Sequence, residues 1–322
     1  MSGELRWQLA DSEQDGQAAL FGVDALMGPE RGTGKLSGLE FLPVVAKKIL
    51  NPVPAGSRMP FRWTINVYRG CSHSCVYCFA RPTHEYLGLN IGEDFDRKIV
   101  VKINAVEKLR AELADPRWTH EPVAMGTNTD PYQRCEGKYR LTRGVVEALA
   151  EHDNPFSILT KSALVSRDLD VIAAAARRVP VTVNFSIGTL DERAWRLTEP
   201  GTPNPRRRIE AMRQFAEAGV PTGALIAPVL PGISDRRDQL RDVVAAIRAA
   251  GGTVMGALPL HLRPGTREHY LSWLEACEPE LHSRYLRAYE GRAYLKPEYG
   301  RWLNRTVGEL DHEVRTSRNG RG

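Results

Sequence analysis

Three cysteines spaced C-x3-C-x2-C, Cys71, Cys75 and Cys78, are the residues of this chain best placed to do chemistry. Thiolates suit iron–sulfur clusters and zinc. An iron–sulfur cube held by cysteines normally takes four of them. Three would leave one iron without a protein ligand and open to a small molecule. The alternative is a structural Cys3His zinc site, with His73 or His84 as fourth ligand. Such sites usually pair short C-x2-C units, and the chain has no second pair. His73 also lies inside the loop, where reaching the same metal as both flanking cysteines would be strained.

A ligand loop needs a rigid frame. The cysteines follow an apolar stretch, residues 63–68, and Gly70, which can take the tight turn such a loop requires. From about residue 61 short apolar runs alternate with helix-period segments. Strands are expected near 63–68, 122–126, 156–159, 181–187, 223–227 and 253–258. Helical stripes fall between them: Val106, Leu109 and Leu113; Val145, Val146 and Leu149; Leu169, Ile172 and Ala176. Two more are Ile209, Met212 and Ala216, opened by Pro205 and stopped by Gly219, and Leu240, Val243, Val244 and Ile247. Strands alternating with helices predict an α/β fold with a parallel sheet and right-handed crossovers. Six such units predict a partial (βα)6 TIM-like barrel; a doubly wound open sheet is the alternative. In either, chemistry gathers at the C-terminal ends of the strands. The cysteine loop, the 127–130 loop, Lys161, Ser186 and Pro228 all follow or end strands, so all are expected on one rim.

Around this core, 61–262, the sequence predicts an N-terminal extension, 1–60, rich in Gly, Pro and charge. A C-terminal helical segment and tail, 263–322, follows, with helices near 270–277 and 280–289. Apolar content of 42% and charged content of 26% suit a soluble globule with a sizeable core. The N-terminus lacks a basic-then-apolar leader, and no apolar run approaches the roughly 18 residues of a membrane span. A cytoplasmic location without membrane contact is expected. Five cysteines, three clustered, fit metal binding in a reducing compartment. A net charge of +5 permits an anionic partner without requiring one.

With an aromatic, Tyr77, before the last cysteine, the triad resembles the cluster motif of the radical S-adenosylmethionine (SAM) superfamily. The resemblance implies a [4Fe-4S] cluster whose open iron chelates S-adenosyl-L-methionine. Reductive cleavage then gives methionine and a 5′-deoxyadenosyl radical. Such an enzyme draws its electron from a reductant such as flavodoxin or ferredoxin. The core is similar to the spore photoproduct lyase-like branch through the run Asn66–Tyr86 (N-x-Y-R-G-C-x-H-x-C-x-Y-C-F-A-R-P-T-H-E-Y). Residues 126–133, 159–161, 185–187 and 199–202 also match that branch. By this similarity Lys161 and Ser186 hold the SAM carboxylate, and Thr129 takes the place of a serine near SAM. Their chemistry agrees, since an ammonium pairs a carboxylate and a hydroxyl can donate to it. Tyr77 is expected beside the cluster or the adenine.

Two positions depart from the lyase. Thr127 replaces the cysteine that returns a hydrogen atom to the DNA radical, and an O–H bond is a poorer hydrogen-atom donor than a thiol. Phe79 replaces a tyrosine associated with radical transfer. Both argue against photoproduct repair by the same route. Cys135, in the same loop as Asp130, is a candidate catalytic thiol, with inert packing as the alternative. Cys277 is expected to be structural.

Asp130 either starts a turn, as Asx-Pro pairs do, or contacts SAM or substrate. Glu199 is expected to fix its loop rather than to catalyse. Arg206, Arg207 and Arg208 sit in a helix first turn, where the macrodipole disfavours cations. They form a solvated face, or Arg208 steers the SAM carboxylate. His84, Glu85 and Tyr86 line a cavity or pack on the surface, and His261 and Arg263 could meet adenine or substrate. The similarity to the lyase and the basic charge suggest a nucleic-acid substrate, which aromatics interleaved with cations (Tyr285, Arg287, Tyr289, Arg292, Tyr294, Lys296) would strengthen; a peptide or small metabolite is the alternative. The competing function is a non-catalytic iron–sulfur or zinc-binding module.

Overall fold

The structure, a computed structural model, describes residues 28–54, 56–57 and 59–319. The chain divides into two compact units. Of the described residues, the first takes those up to His73 together with Ala80–Leu159 and Arg167–Thr182; the second takes Ser74–Phe79, Thr160–Ser166 and those from Val183.

In the first unit, β3 (Asn51–Pro52) pairs antiparallel with β4 (Trp63–Ile65). Strand β4 runs parallel to β7 (Val123–Met125), and β7 runs parallel to β8 (Phe156–Thr160). A separate sheet has the order β1 (Glu30–Arg31), β2 (Glu40–Val44), β6 (Lys98–Lys102), β5 (Tyr68–Arg69). Its one parallel pair is β2 with β6. The helices are α1 (Glu93–Arg97), α2 (Ala105–Leu113), α3 (Glu136–Tyr139), α4 (Leu141–Glu151) and α5 (Leu169–Ala176). They bury the expected stripes: Leu109 and Leu113 on α2, and Val145, Val146 and Leu149 on α4, are sealed from solvent. The first part of the N-terminal extension, residues 1–27, lies outside the described residues. Its remainder is knit into this unit through β2 and β3. The runs that do so are two and five residues long, too short for periodicity to reveal.

In the second unit β9 (Val181–Ser186), β10 (Thr222–Val229) and β11 (Thr253–Pro259) are parallel neighbours. Strand β9 places Val183 and Phe185 in the core, the alternation its β-branched sequence predicts. The helices α6 (Glu192–Thr198), α7 (Pro205–Glu217) and α8 (Arg237–Ala249) follow the strands. Leu240, Val243, Val244 and Ile247 of α8 are all buried. Then come α9 (Thr266–Cys277), α10 (Pro279–Ala288) and α11 (Pro297–Asn319). The last is a 23-residue helix that the sequence reading did not resolve from the tail. It buries Leu303, Val307 and Leu310 and is fastened by Asp311, which takes Arg248 Nε and Nη2 of α8 at 2.6 and 2.7 Å.

The expected six strands are present and each parallel pairing has the predicted sense, but the first is shorter than expected: it ends at Ile65, and Tyr68–Arg69 forms β5 of the other sheet. The class is α/β.

Candidate active site

Gly70 delivers the chain into the cysteine loop with φ +78°. A Cβ there would stand 2.9 Å from Lys98 O and from His84 Cε1, so the turn is open only to glycine. The entry of the loop, Gly70–Ser72, is then held through neutral groups. Cys71 N donates to Phe95 O at 2.9 Å, and Ser72 N donates to Gln133 Oε1 at 2.9 Å. Gln133 Nε2 donates to Gly70 O and to Thr129 Oγ1, both at 3.0 Å, and the Thr129 hydroxyl donates to Gly70 O at 2.6 Å. Gln133 is completely buried and Thr129 nearly so. These residues come from the loop after β7, which starts at Gly126 (φ +89°). There a Cβ would fall 1.9 Å from Leu159 O.

Asp130 makes the expected turn and also meets a histidine of the loop. Its Oδ1 accepts Tyr132 N at 2.9 Å, the turn expected of an Asx-Pro pair, while Oδ2 lies 3.4 Å from His73 Nδ1. His73 therefore faces a carboxylate. His84, fully buried, places Nε2 3.0 Å from Lys98 O, and burial lowers its pKa and favours the neutral ring. Cys135 has no exposed surface, and burial together with the Glu136 carboxylate raises its thiol well above the usual range, so it stays S–H. It lies beside a network in which Glu136 takes Tyr68 OH at 2.5 Å and Arg167 Nη2 at 2.7 Å.

The second half of the loop is held differently, by charge. Cys75 is buried and Cys78 half-buried, and none of the five cysteines forms a disulfide. Val76 N donates to Thr198 O at 3.1 Å, and Thr266 Oγ1 donates to Cys78 O at 3.2 Å. Cys75, Val76 and Tyr77 pack in an apolar cluster with Leu230, Leu260 and Tyr270. The Tyr77 hydroxyl donates to Glu199 Oε1. The same oxygen lies 3.1 Å from Lys161 Nζ. Lys161 also donates to Ser186 Oγ at 2.7 Å and Ala227 O at 3.3 Å, and stands 5.6 Å from the Tyr77 ring centroid.

On its other side Glu199 Oε2 takes Arg208 Nη2 at 2.5 Å and Thr202 Oγ1 at 3.3 Å. Arg208 Nη1 donates to Ser186 O at 2.9 Å. Burial opposes charge on Glu199, but Arg208 and Lys161 outweigh it and hold the carboxyl well below the ordinary range. For Cys75, burial and the Glu199 carboxylate push the thiol up, with Lys161 acting against them.

The structure thus gathers Tyr77, Lys161, Ser186 and Arg208 around Glu199 in the second unit. Thr129 and Asp130 belong to the first. The solvated-face reading holds for the exposed Arg206 and Arg207 but fails for Arg208, which is 1% exposed because α7 turns it inward onto Glu199. Glu199 has a larger part than fixing its own loop. The signal for it was available: a cation at a helix N-terminus needs a carboxylate partner. Phe79 and Tyr86 are exposed; Tyr285 and Tyr289 are buried, with hydroxyls donating to Pro231 O and Leu260 O. Those two rings are core, not stacking surfaces. Tyr294 is exposed, in edge contact with His261 at 4.6 Å between centroids, and its hydroxyl accepts Arg263 Nη2 at 2.8 Å.

The donor chemistry of the triad fits an iron–sulfur cluster: three thiols in one eight-residue loop. Among the described residues no three His, Cys, Asp or Glu side chains are already gathered as a closed metal-binding group.

Residues 65–244 match the Radical SAM superfamily. An uncharacterized protein of Mycobacterium tuberculosis is 47% identical over 276 residues, spanning 86% of this chain and 81% of that protein. A radical SAM Nalpha-GlyT isomerase of Pseudomonas phage M6 is 25% identical over 217 residues, 67% of this chain and 41% of the isomerase. A spore photoproduct lyase mutant solved with bound AdoMet and dinucleoside spore photoproduct superimposes with a TM-score of 0.63. That likeness covers 85% of this chain and 79% of the lyase at 15% identity, and carries the fold.

Proposed function

This chain belongs to the radical SAM superfamily, whose members use a [4Fe-4S] cluster and SAM, and from that premise we propose that Cys71, Cys75 and Cys78 hold the cluster. When bound, the cluster supplies the electron that splits SAM into methionine and a 5′-deoxyadenosyl radical, the electron coming from an external reductant such as flavodoxin or ferredoxin. The observation that carries this reading is the Lys161–Ser186–Glu199–Arg208 constellation, buried but for a half-buried Lys161, against the segment of the triad that holds Cys75.

Each residue has a task its chemistry permits. Lys161 and Ser186 offer an ammonium and a hydroxyl to the SAM carboxylate, and Arg208 adds a second cation behind them. A half-buried lysine and a buried arginine face one buried carboxylate, so a ligand carboxylate arriving at this corner would meet cations already in place. Tyr77 closes the loop over that corner. Thr129 and Asp130 shape the loop's first half. Cys135, sealed in the core, would need the surrounding chain to open before its thiol could donate a hydrogen atom.

For the substrate we propose a nucleic acid presented in single-stranded or flipped-out form. Three observations support it. The solved lyase carries a dinucleoside. Tyr294 is an exposed ring flanked by His261 and Arg263. Residues 258–267 and 291–296, tied by Leu262 N to Ala293 O at 2.8 Å, hold four Arg or Lys and no carboxylate. Replacing Tyr294 by Ala should weaken single-stranded oligonucleotide binding roughly 5- to 100-fold by fluorescence anisotropy, the range for one stacked base. Equal binding by the variant would point to a different substrate class. None of the described helices is long and apolar enough to cross a membrane, and a cytoplasmic location is part of the proposal.

The cofactor assignment is tested by anaerobic reconstitution with iron and sulfide, then SAM titration of the reduced protein. A cubane-type signal that shifts on adding SAM is expected. Zinc alone in anaerobically purified protein would favour the structural metal module.

A further inference from the structure

We infer that Glu199 is a positioning residue: it locks the second half of the cysteine loop onto Lys161 and Arg208 and fixes the charge felt at the cluster. The inference rests on the radical SAM reading of the triad and extends it to a residue outside the expected ligand set.

Three features single Glu199 out. First, the segment grips the loop twice, through Thr198 O on Val76 N and through Glu199 Oε1 on the Tyr77 hydroxyl. Second, that oxygen also meets Lys161, the residue proposed for the SAM carboxylate. One atom therefore joins the cysteine loop to the SAM corner. Third, Oε2 is held by Arg208 and Thr202, which leaves the carboxylate no freedom to rotate away.

A purely structural role would not need charge. Well-packed apolar residues often serve stability as well as a buried ion cluster or better, so stability alone does not account for this one. Here the consequence is electrostatic. Reduction adds an electron to a cluster that is already anionic with its three thiolates. A carboxylate fixed against Tyr77, between Cys75 and Cys78 in the chain, opposes that step, and the Lys161 and Arg208 cations paired with it favour it. Glu199 pairs with both cations and moderates them.

The test combines redox titration of the reconstituted protein with amide exchange on the unloaded protein. Glu199→Gln keeps the shape and removes the charge, and should move the cluster potential upward. Arg208→Gln should move it downward. Tyr77→Phe removes one hydrogen bond and no charge, and should leave it nearly still. In the unloaded protein both Glu199→Gln and Tyr77→Phe should speed exchange at the Val76 amide up to about tenfold, the worth of one hydrogen bond. Glu199→Asp, which keeps the charge on a shorter stem, should speed exchange while leaving the potential near wild type. This variant serves if Gln at 199 does not fold. An unmoved potential in Glu199→Gln with an intact cluster would overturn the inference, as would shifts of the same sign in Glu199→Gln and Arg208→Gln. If wild type takes up no cluster, the radical SAM reading fails by itself. Unchanged Val76 exchange would then overturn the positioning role separately.

Discussion

The two halves of one short loop are held by opposite means. Gly70–Ser72 sit in a net of amides and hydroxyls: Gln133, Thr129 and backbone groups, all neutral. Val76–Cys78 sit against a buried carboxylate with two cations and a tyrosine. A neutral net fixes shape at small electrostatic cost and leaves the local potential alone. An ionic net costs desolvation and fixes charge as well as shape. Gly70–Ser72 is therefore the rigid entry to the loop, and on the proposed reading Val76–Cys78 is where chemistry is tuned.

Breaking the loop itself should have the largest effect. Replacing any one of Cys71, Cys75 or Cys78 by Ala should abolish cluster loading, seen as loss of bound iron and of the visible absorption band. It should also erase the rise in thermal midpoint that loading gives wild type. The next largest effect falls on the charged half. Lys161→Ala should leave iron content intact and weaken SAM binding about 10- to 100-fold by equilibrium dialysis, the worth of a charge-assisted hydrogen bond. The neutral half should answer differently. Gln133→Leu leaves Ser72 N without its buried acceptor, while Gly70 O keeps the Thr129 hydroxyl, and should cost about 1–3 kcal/mol in denaturant unfolding. The cluster potential should stay where it was. A large potential shift in Gln133→Leu would dissolve the contrast between the halves.

Much of this was legible beforehand, and the exceptions have physical reasons. The triad, the six strands and the strand-end positions of Lys161 and Ser186 follow from spacing and periodicity. Glu199 and Arg208 were visible as residues but not as a pair. The Pro200–Pro205 turn that brings α7 back over the end of α6 is what joins them, and such a reversal leaves no periodic trace. Arg208 looked solvated because it is the third of three arginines; only the turn of the helix separates it from its exposed neighbours. Tyr285 and Tyr289 looked like a nucleic-acid surface because they alternate with cations. An amphipathic helix gives the same pattern, and α10 buries Tyr285. The sheet of β1, β2, β5 and β6 is built from runs of two to five residues, below the length at which alternation can be read.

The smallest expected effect lies far from the loop and gives the comparison an outside reference. Arg248 holds the Asp311 carboxyl below its ordinary value, tying α8 to α11. A carboxyl lowered on folding stabilises fully above its unfolded value of 3.8 and loses that contribution as pH falls through the folded value. Asp311→Asn should therefore cost about 0.5–1 kcal/mol near neutrality, and the gap to wild type should shrink in melts taken toward pH 3. Loop, cluster and SAM binding should be untouched.

The central claim is that the open cysteine triad and the charged corner around Lys161 together make a site that splits SAM. The direct measurement is 5′-deoxyadenosine formation by anaerobically reconstituted, dithionite-reduced protein given SAM. The account predicts 5′-deoxyadenosine and methionine in equal amounts from wild type, none from Cys75→Ala, and strongly reduced yield at low SAM from Lys161→Ala. A fully loaded, reduced wild-type protein that yields none would contradict it.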